Sequence, residues 1–385
     1  MTRLIEILIA LAIVVALFLA IGLLLPSSRH LQEEVETNRK MAIVYDTIAS
    51  MRRFDDWNVL PLQDPRMRTR LTGPETGVGA AFEYESDERK LGTGKWEIVE
   101  AVPGKSVTYR LENPQRGRNK TMTYTLRPTG RNNRNVKITA TYHVDYGWDI
   151  LGRYQGLYVP RSVGDAMKLS LSRLSNMLAT VPNVDYSILP VAPTTVQLPA
   201  ENLLVVEATV ERNNEILRRQ MQANMQWVRR VMEANDLEAA GPVRIVTTEL
   251  GSENYTFDVA QPVRKRGTGP AREQAAEEGA QDGEEQPGER PLSVLPLPSG
   301  DAPELDITVS GDGNPVVHVR TQPRTAAVTA FAGHMANLPN VRDSLRAWAL
   351  TQGFETVDRP FEVWKKGIEA GFTEEGEFDV YWPLK

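Results

Sequence analysis

The side chains available for chemistry in this chain are carboxylates, hydroxyls and aromatic rings. Cysteine is absent, which removes disulfides, thiolate nucleophiles, zinc ribbons and iron–sulfur clusters. His30, His143, His318 and His334 are too scattered for an HExxH or paired-histidine site, so neither a metal nor a cofactor is expected. Glu362 stands between Phe361 and Val363 in a central-strand pattern, and a carboxylate there needs a partner or a ligand. His143, Asp145 and Asp149 crowd one strand end, where a solvated terminus is a simpler reading than a catalytic Asp/His pair. Glu83, Glu85 and Asp87 share a strand face and read as solvated acids. Gly104-Lys105-Ser106 echoes a phosphate loop, but Val99 stands where its first glycine is required. Gly77-Val-Gly79 and Gly92-Thr-Gly94 lack the third glycine and following helix of a dinucleotide fingerprint. Six aromatics remain: Trp57, Trp96, Tyr124, Tyr142, Tyr146 and Trp148. Singly each reads as core; together they can wall an apolar cavity.

The elements that must position these rings are legible as patterns. Runs at 77–84, 96–99, 107–111, 122–126 and 136–144 alternate apolar and polar residues and are separated by turns at 103–104 and 129–133. That period predicts a hairpin-rich antiparallel sheet with one apolar face. Residues 40–52 predict a short helix. Over 161–178 the period changes: Val163, Met167, Leu171, Leu174 and Leu178 recur at helical spacing. One long helix closing a curved sheet encloses an elongated apolar space, placing Met167 and Leu171 against it.

Composition bounds the whole. With 385 residues, 41% apolar and 24% charged, the chain has material for two or three packed domains. A net charge of −6 argues against a nucleic-acid partner. Residues 7–25 carry no charge and, at about 1.5 Å per residue, span about 28 Å, a bilayer core. The run is long for a signal peptide and ends Leu-Leu-Pro-Ser-Ser-Arg without a small-x-small cleavage site, so an uncleaved membrane anchor over 1–27 is expected. A short cytoplasmic N-terminus places the remaining domains outside that membrane, in the periplasm if it is a bacterial inner membrane. Residues 28–182 form a first folded unit, 183–200 a Pro-rich linker, and 201–385 a second unit interrupted over 264–303 by a Gly-, Pro- and Glu-rich insertion expected to be disordered. In the second unit, strand 203–210, helix 213–234 and strands 243–250 and 255–263 are echoed by strands 316–321 and 326–331, helix 341–351 and strands 361–368 and 377–381. A twofold β-α-β-β repeat with a groove between its halves is expected. Arginines on helix 213–234 alternate with acids and read as a solvated face.

Two resemblances follow from quoted residues. Phe54-Asp-Asp-Trp57-Asn, Asp64-Pro65, Gly73-Pro74, Gly77-Val-Gly79-Ala, Gly92-Thr-Gly94, Ile98-Val-Glu100 and Pro103-Gly104 resemble the polyketide cyclase/dehydrase and lipid-transport family, the SRPBCC or START-like helix-grip fold. The resemblance implies a sheet gripping a long C-terminal helix around a cavity for a hydrophobic ligand, and supplies no catalytic motif. Ala327-Val-Thr-Ala-Phe331-Ala-Gly333-His334, Leu345-Arg-Ala-Trp348, Arg359-Pro-Phe361-Glu362-Val-Trp364 and Glu377…Tyr381-Trp-Pro383-Leu384 resemble the gyrase-inhibitor-like effector-binding domain. That implies a buried glutamate, matched by Glu362, capturing a cationic or aromatic molecule among Trp348, Trp364 and Tyr381; Coulomb attraction and cation–π contact suit such a site. Trp364 replaces the family's tyrosine, which weakens a hydrolytic reading. The fold class is therefore α+β: a transmembrane helix, a helix-grip domain and a pseudo-symmetric repeat domain. The expected function is binding, with a hydrolase or cyclase using Glu362 or a cavity acid, or a sensor or scaffold for protein partners, as alternatives.

Overall fold

The chain opens with helix α1 (Thr2–Leu24), whose stretch Arg3–Leu24 is long and apolar enough to cross a membrane and exposes nearly all its side chains. Strand β1 (Ser28–Thr37) and helices α2 (Met41–Ala49), α3 (Phe54–Trp57) and α4 (Leu60–Gln63) follow. Then come β2 (Arg68–Thr72), β3 (Ala81–Glu85), β4 (Thr93–Val102), β5 (Ser106–Glu112), β6 (Arg118–Thr129) and β7 (Asn135–Asp145). Helices α5 (Ile150–Gln155) and α6 (Asp165–Thr180) close this part. The computed structural model describes residues 2–251, 253–268, 291–309, 313 and 315–385. It divides into two units, Met1–Asp185 with Thr351–Gly353, and Tyr186–Leu350 with Phe354–Lys385.

In unit 1 the seven strands pair antiparallel in the order β1-β7-β6-β5-β4-β3-β2. Along β7, Val136, Ile138, Ala140, Tyr142 and Val144 are buried while alternate residues are not, the signature of a sheet wet on one face only. Helix α6 packs against β1 and α3, burying Met167, Leu171, Leu174 and Leu178. Arg39 donates to the Leu178 and Ala179 carbonyls at 2.8 and 2.7 Å and so satisfies the C-terminal end of α6. The mixed content, the antiparallel sheet and the gripped helix are compatible with a helix-grip fold.

Among the elements that were not legible, two lie beside α6 in the chain. A five-residue π turn, Pro160–Gly164, leads into α6, so the helix predicted from 161 begins its regular turns at Asp165. Helix α5 has six residues, one of them Gly152, too few for a period to register. Asp149 caps it, accepting from the Gly152 N–H at 3.0 Å.

Unit 2 contains β8 (Thr194–Leu198), β9 (Asn202–Glu211), α7 (Asn214–Ala234), β10 (Leu237–Ala239), β11 (Arg244–Leu250) and β12 (Asn254–Lys265). β13 (Val317–Arg320), β14 (Arg324–Ala332), α8 (Leu338–Thr351), β15 (Phe361–Trp364), α9 (Gly367–Gly371) and β16 (Glu377–Pro383) complete it. The sheet runs β13-β9-β12-β11-β15-β16-β14-β8, with β10 beside β12. Three departures from expectation concern its edges. The 183–200 segment is not only a connector: its residues 194–198 pair with β14 as an edge strand, tolerated because the prolines fall outside the ladder. The strand expected over 361–368 stops at Trp364, because Gly367 opens α9. Of the 264–303 insertion, 269–290 lie outside the described residues, but its flanks are ordered against unit 2. Arg264 and Lys265 end β12, and the Leu295 N–H donates to Asp379 at 2.8 Å. Val294 and Leu297 also pack on the cluster of Phe361, Val363 and Tyr381.

Candidate ligand cavity

One end of the unit 1 interior is solid. The rings of Phe54, Trp57, Phe82, Trp96, Tyr109 and Tyr124 stand 4.8 to 6.2 Å apart, mostly tilted or edge-on, the preferred aromatic geometry. Tyr109 is wholly buried and donates its hydroxyl proton to the Ile48 carbonyl. Beyond this cluster the sheet and α6 fail to meet, and a cavity of about 260 Å³ remains. Trp96, Tyr124, Leu111 and Met122 wall it from the strands, Met167 and Ala166 from α6, and Val59 and Leu60 from the α3–α4 turn. Tyr142 and Lys90 also line it.

Polar side chains share the lining: Asn58, Gln63, Lys90, Asn113, Gln115, Ser162 and Ser170. Ser170 accepts from the Val59 N–H at 3.0 Å and ties α6 to the α3–α4 turn. Lys120 is buried and donates to Asn113 Oδ1 and the Gln115 carbonyl, each at 2.5 Å, fixing a loop that forms part of the wall. Burial lowers its pKa from the ordinary lysine value. Burial raises the Tyr124 and Tyr142 phenols well above theirs, so both stay neutral. A partly open space with aromatic and aliphatic walls and a polar margin that includes Lys90 can hold an oily molecule; among the described residues its lining contains no Asp, Glu or His.

The sequence-expected cavity residues separate accordingly. Trp96, Tyr124, Tyr142 and Met167 line the space. Trp57 and Leu171 are buried one layer behind it, Trp57 standing edge-on to Tyr124 at 5.5 Å. Trp148 is a correction: it is 83% exposed. Alternation through Tyr142, Val144 and Tyr146 aims position 148 inward, but β7 ends at Asp145 and Gly147, at φ 53°, turns the chain out of the strand. Ser162, Asn113, Gln115 and Leu91 line the cavity from turns and loops, where no periodicity could single them out.

In unit 2 the four expected residues do not form one groove. Glu362 and Trp364 project from β15 to one face, where Trp364 packs edge-on to Phe378 at 5.1 Å. Trp348 packs on the same cluster from α8. Tyr381 pairs in register with Phe361 and stacks on it at 4.9 Å on the opposite face. Glu362 is fully buried, and Arg342 Nε on α8 donates to its Oε1 at 2.5 Å. Burial works against the Arg342 charge, yet Glu362 and Tyr255 beside it hold its pKa above the ordinary arginine value. Arg342 thus supplies a partner for Oε1 from within, while Oε2 is buried without a hydrogen-bond partner among the described residues. Among the described residues no cluster of three or more His, Cys, Asp or Glu is arranged to hold a metal.

Residues 28–178 match the family model described as polyketide cyclase/dehydrase and lipid transport. No curated protein matches the chain. Similar solved structures include the EcmrR C-terminal domain, at 14% identity and a TM-score of 0.34, covering 51% of this chain and 98% of that one. A truncated norcoclaurine synthase from Thalictrum flavum aligns at 10% identity and 0.32, covering 40% and 94%. Protein CV1439 from Chromobacterium violaceum aligns at 16% and 0.28, covering 39% and 96%.

Proposed function

We propose that this chain is a single-pass, membrane-anchored binding protein whose unit 1 takes a hydrophobic small molecule, such as one acyl chain, into the cavity beneath α6. The observation that carries the reading is that cavity: about 260 Å³ left open beside a tightly packed aromatic cluster, with Leu60, Leu111, Met122, Val163 and Met167 among its walls. Packed interiors seldom leave such space without an occupant in view, since empty volume forfeits contacts. At roughly 30 Å³ per water-sized group, it accommodates about eight or nine groups in a row.

The reading of α1 as a retained anchor rests on its junction. Arg153 donates to the Leu23 and Leu25 carbonyls at 2.9 and 3.2 Å, closing the end of α1 onto unit 1. A segment destined for removal has no use for such a clamp. With the N-terminus cytoplasmic, the two units lie on the periplasmic side of a bacterial inner membrane. For unit 2, the order β9-β12-β11-β15-β16-β14 reads the same from either end if β9-α7-β11-β12 is mapped on β14-α8-β15-β16. That supports a pseudo-twofold, effector-binding-like domain fused to the helix-grip unit. A cationic ligand there competes with a guanidinium already against Glu362, so an ion-pair role for Glu362 is favoured over capture or turnover.

The test fills the space. Ala166→Trp places an indole in the cavity and removes room for two or more methylenes, so a fluorescent medium-chain fatty acid should bind the full-length protein about tenfold more weakly or worse. Unchanged affinity in a folded variant shows that the cavity is not where the chain is held.

A further inference from the structure

We infer that Trp148, Leu151, Leu157 and Tyr158 form a docking face for an anionic bilayer surface, holding one opening of the unit 1 cavity at the level of the lipid headgroups. The inference rests on the reading of α1 as a retained anchor and adds to it that unit 1 lies down on the membrane.

Positions 148, 151, 155 and 158 recur at helical spacing on one side of α5 and the turn after it. Trp148, Leu151 and Tyr158 are 83%, 52% and 70% exposed, and Leu157 beside them is 50% exposed. The opposite side, Gly152, Arg153, Gly156 and Val159, is buried. Large rings and leucines left in water on one face mark a surface that is covered in use. Tryptophan and tyrosine, apolar bodies with one polar tip, are the side chains that settle at the headgroup level.

The covering partner follows from where α1 touches this face. The Phe18 ring stacks on Tyr154 at 4.4 Å, and the Tyr154 hydroxyl donates to the Phe18 carbonyl at 2.8 Å. Gly22 lies so close to α5 that a Cβ there would stand 2.3 Å from Ile150 Cγ2. Phe18 is six residues before the end of α1, about 9 Å back along the axis at ~1.5 Å per residue. An element fastened at that height sits within the depth, about 5–10 Å, to which interfacial helices bury their apolar faces.

Charge selects the lipid. A groove of about 410 Å³ runs past Tyr158 and Gln155 and shares Lys90, Gln115, Tyr142 and Ser162 with the cavity wall. Its lining carries Arg89, Lys90 and Arg116; Arg116 is paired with Asp149 at 3.1 Å, so Arg89 and Lys90 carry the positive charge of the rim, on a chain whose net charge is −6. A basic rim on an acidic molecule, around aromatic side chains, is complementary to anionic headgroups.

The absence of cysteine permits a direct test in the full-length chain. Single nitroxide labels are placed through Leu157→Cys, Arg131→Cys in the β6–β7 turn and Ile13→Cys in α1. The protein is reconstituted in phosphatidylcholine vesicles with and without phosphatidylglycerol. The label at 157 should be at least about fivefold better shielded from a water-soluble relaxant than the label at 131, most strongly in the anionic vesicles. Arg89→Glu with Lys90→Glu should remove about fivefold or more of that shielding. A label at 157 as exposed as the one at 131, with the label at 13 deep in hydrocarbon, overturns docking and leaves the anchor standing. A label at 13 in water overturns both readings.

Discussion

The contact between Arg342 Nε and Glu362 Oε1 joins a wholly buried carboxylate to a nearly buried guanidinium. Removing one partner leaves the other charge buried and uncompensated, a loss of about 3–5 kcal/mol when such pairs are broken from one side. Glu362→Gln should therefore lower the thermal unfolding midpoint markedly, and Glu362→Leu combined with Arg342→Met should recover most of the loss. A single variant that melts like the parent would show that the pair does not hold α8 to β15. The sequence announced that Glu362 needed a partner but not which: Arg342 lies 20 positions away on a helix, and only packing brings them together. Tyr381 illustrates a related limit. Its face is set by the β15–β16 register, which opposes it to Phe361, and register is decided by pairing rather than by one strand's composition. Trp96, Tyr124, Tyr142 and Met167 were legible because strand alternation and helical spacing persist through each of them.

At the scale of elements, β5, β7, β9, β11 and α7 were readable almost to their ends, whereas only the middles of β4 and β6 were read and β3 starts at Ala81, not at 77. Apart from β1, whose residues alternate only between half-buried and exposed, what escaped was short: β2, α3, α4, α5, the π turn, the strand at 194–198, β10 and α9, each too brief for a period to register. The strands β6 and β7 also carry a pH dependence. Burial raises the phenols of Tyr124 and Tyr142 above the ordinary tyrosine value of 10.0. The folded chain therefore keeps protons that the unfolded chain releases. The stability these groups contribute is present in full below pH 10.0 and is lost as the pH rises beyond it toward their folded values. In an alkaline titration their tyrosinate absorbance should appear only together with loss of the far-ultraviolet circular dichroism. Ionisation of these two while the sheet is intact would contradict their burial.

At the scale of the molecule, the composition shifts near 182 and 200 set the expected linker, and the first packed unit of the structure runs to Asp185. They did not reveal that the Pro-rich stretch belongs to the second sheet, because an edge strand needs only a neighbour to pair with. Nor did they indicate that unit 1 is packed at one end and open at the other. The rings of Trp96 and Tyr124, backed by Trp57 and Tyr109, make that asymmetry rigid. A guest entering the space meets a fixed floor, so the protein should work as a ruler. Across a homologous series of fatty acids, affinity should climb by about 0.8 kcal/mol for each added carbon, until the tail tip reaches the rings. After that, titration calorimetry should record no further gain, each extra carbon remaining outside in water.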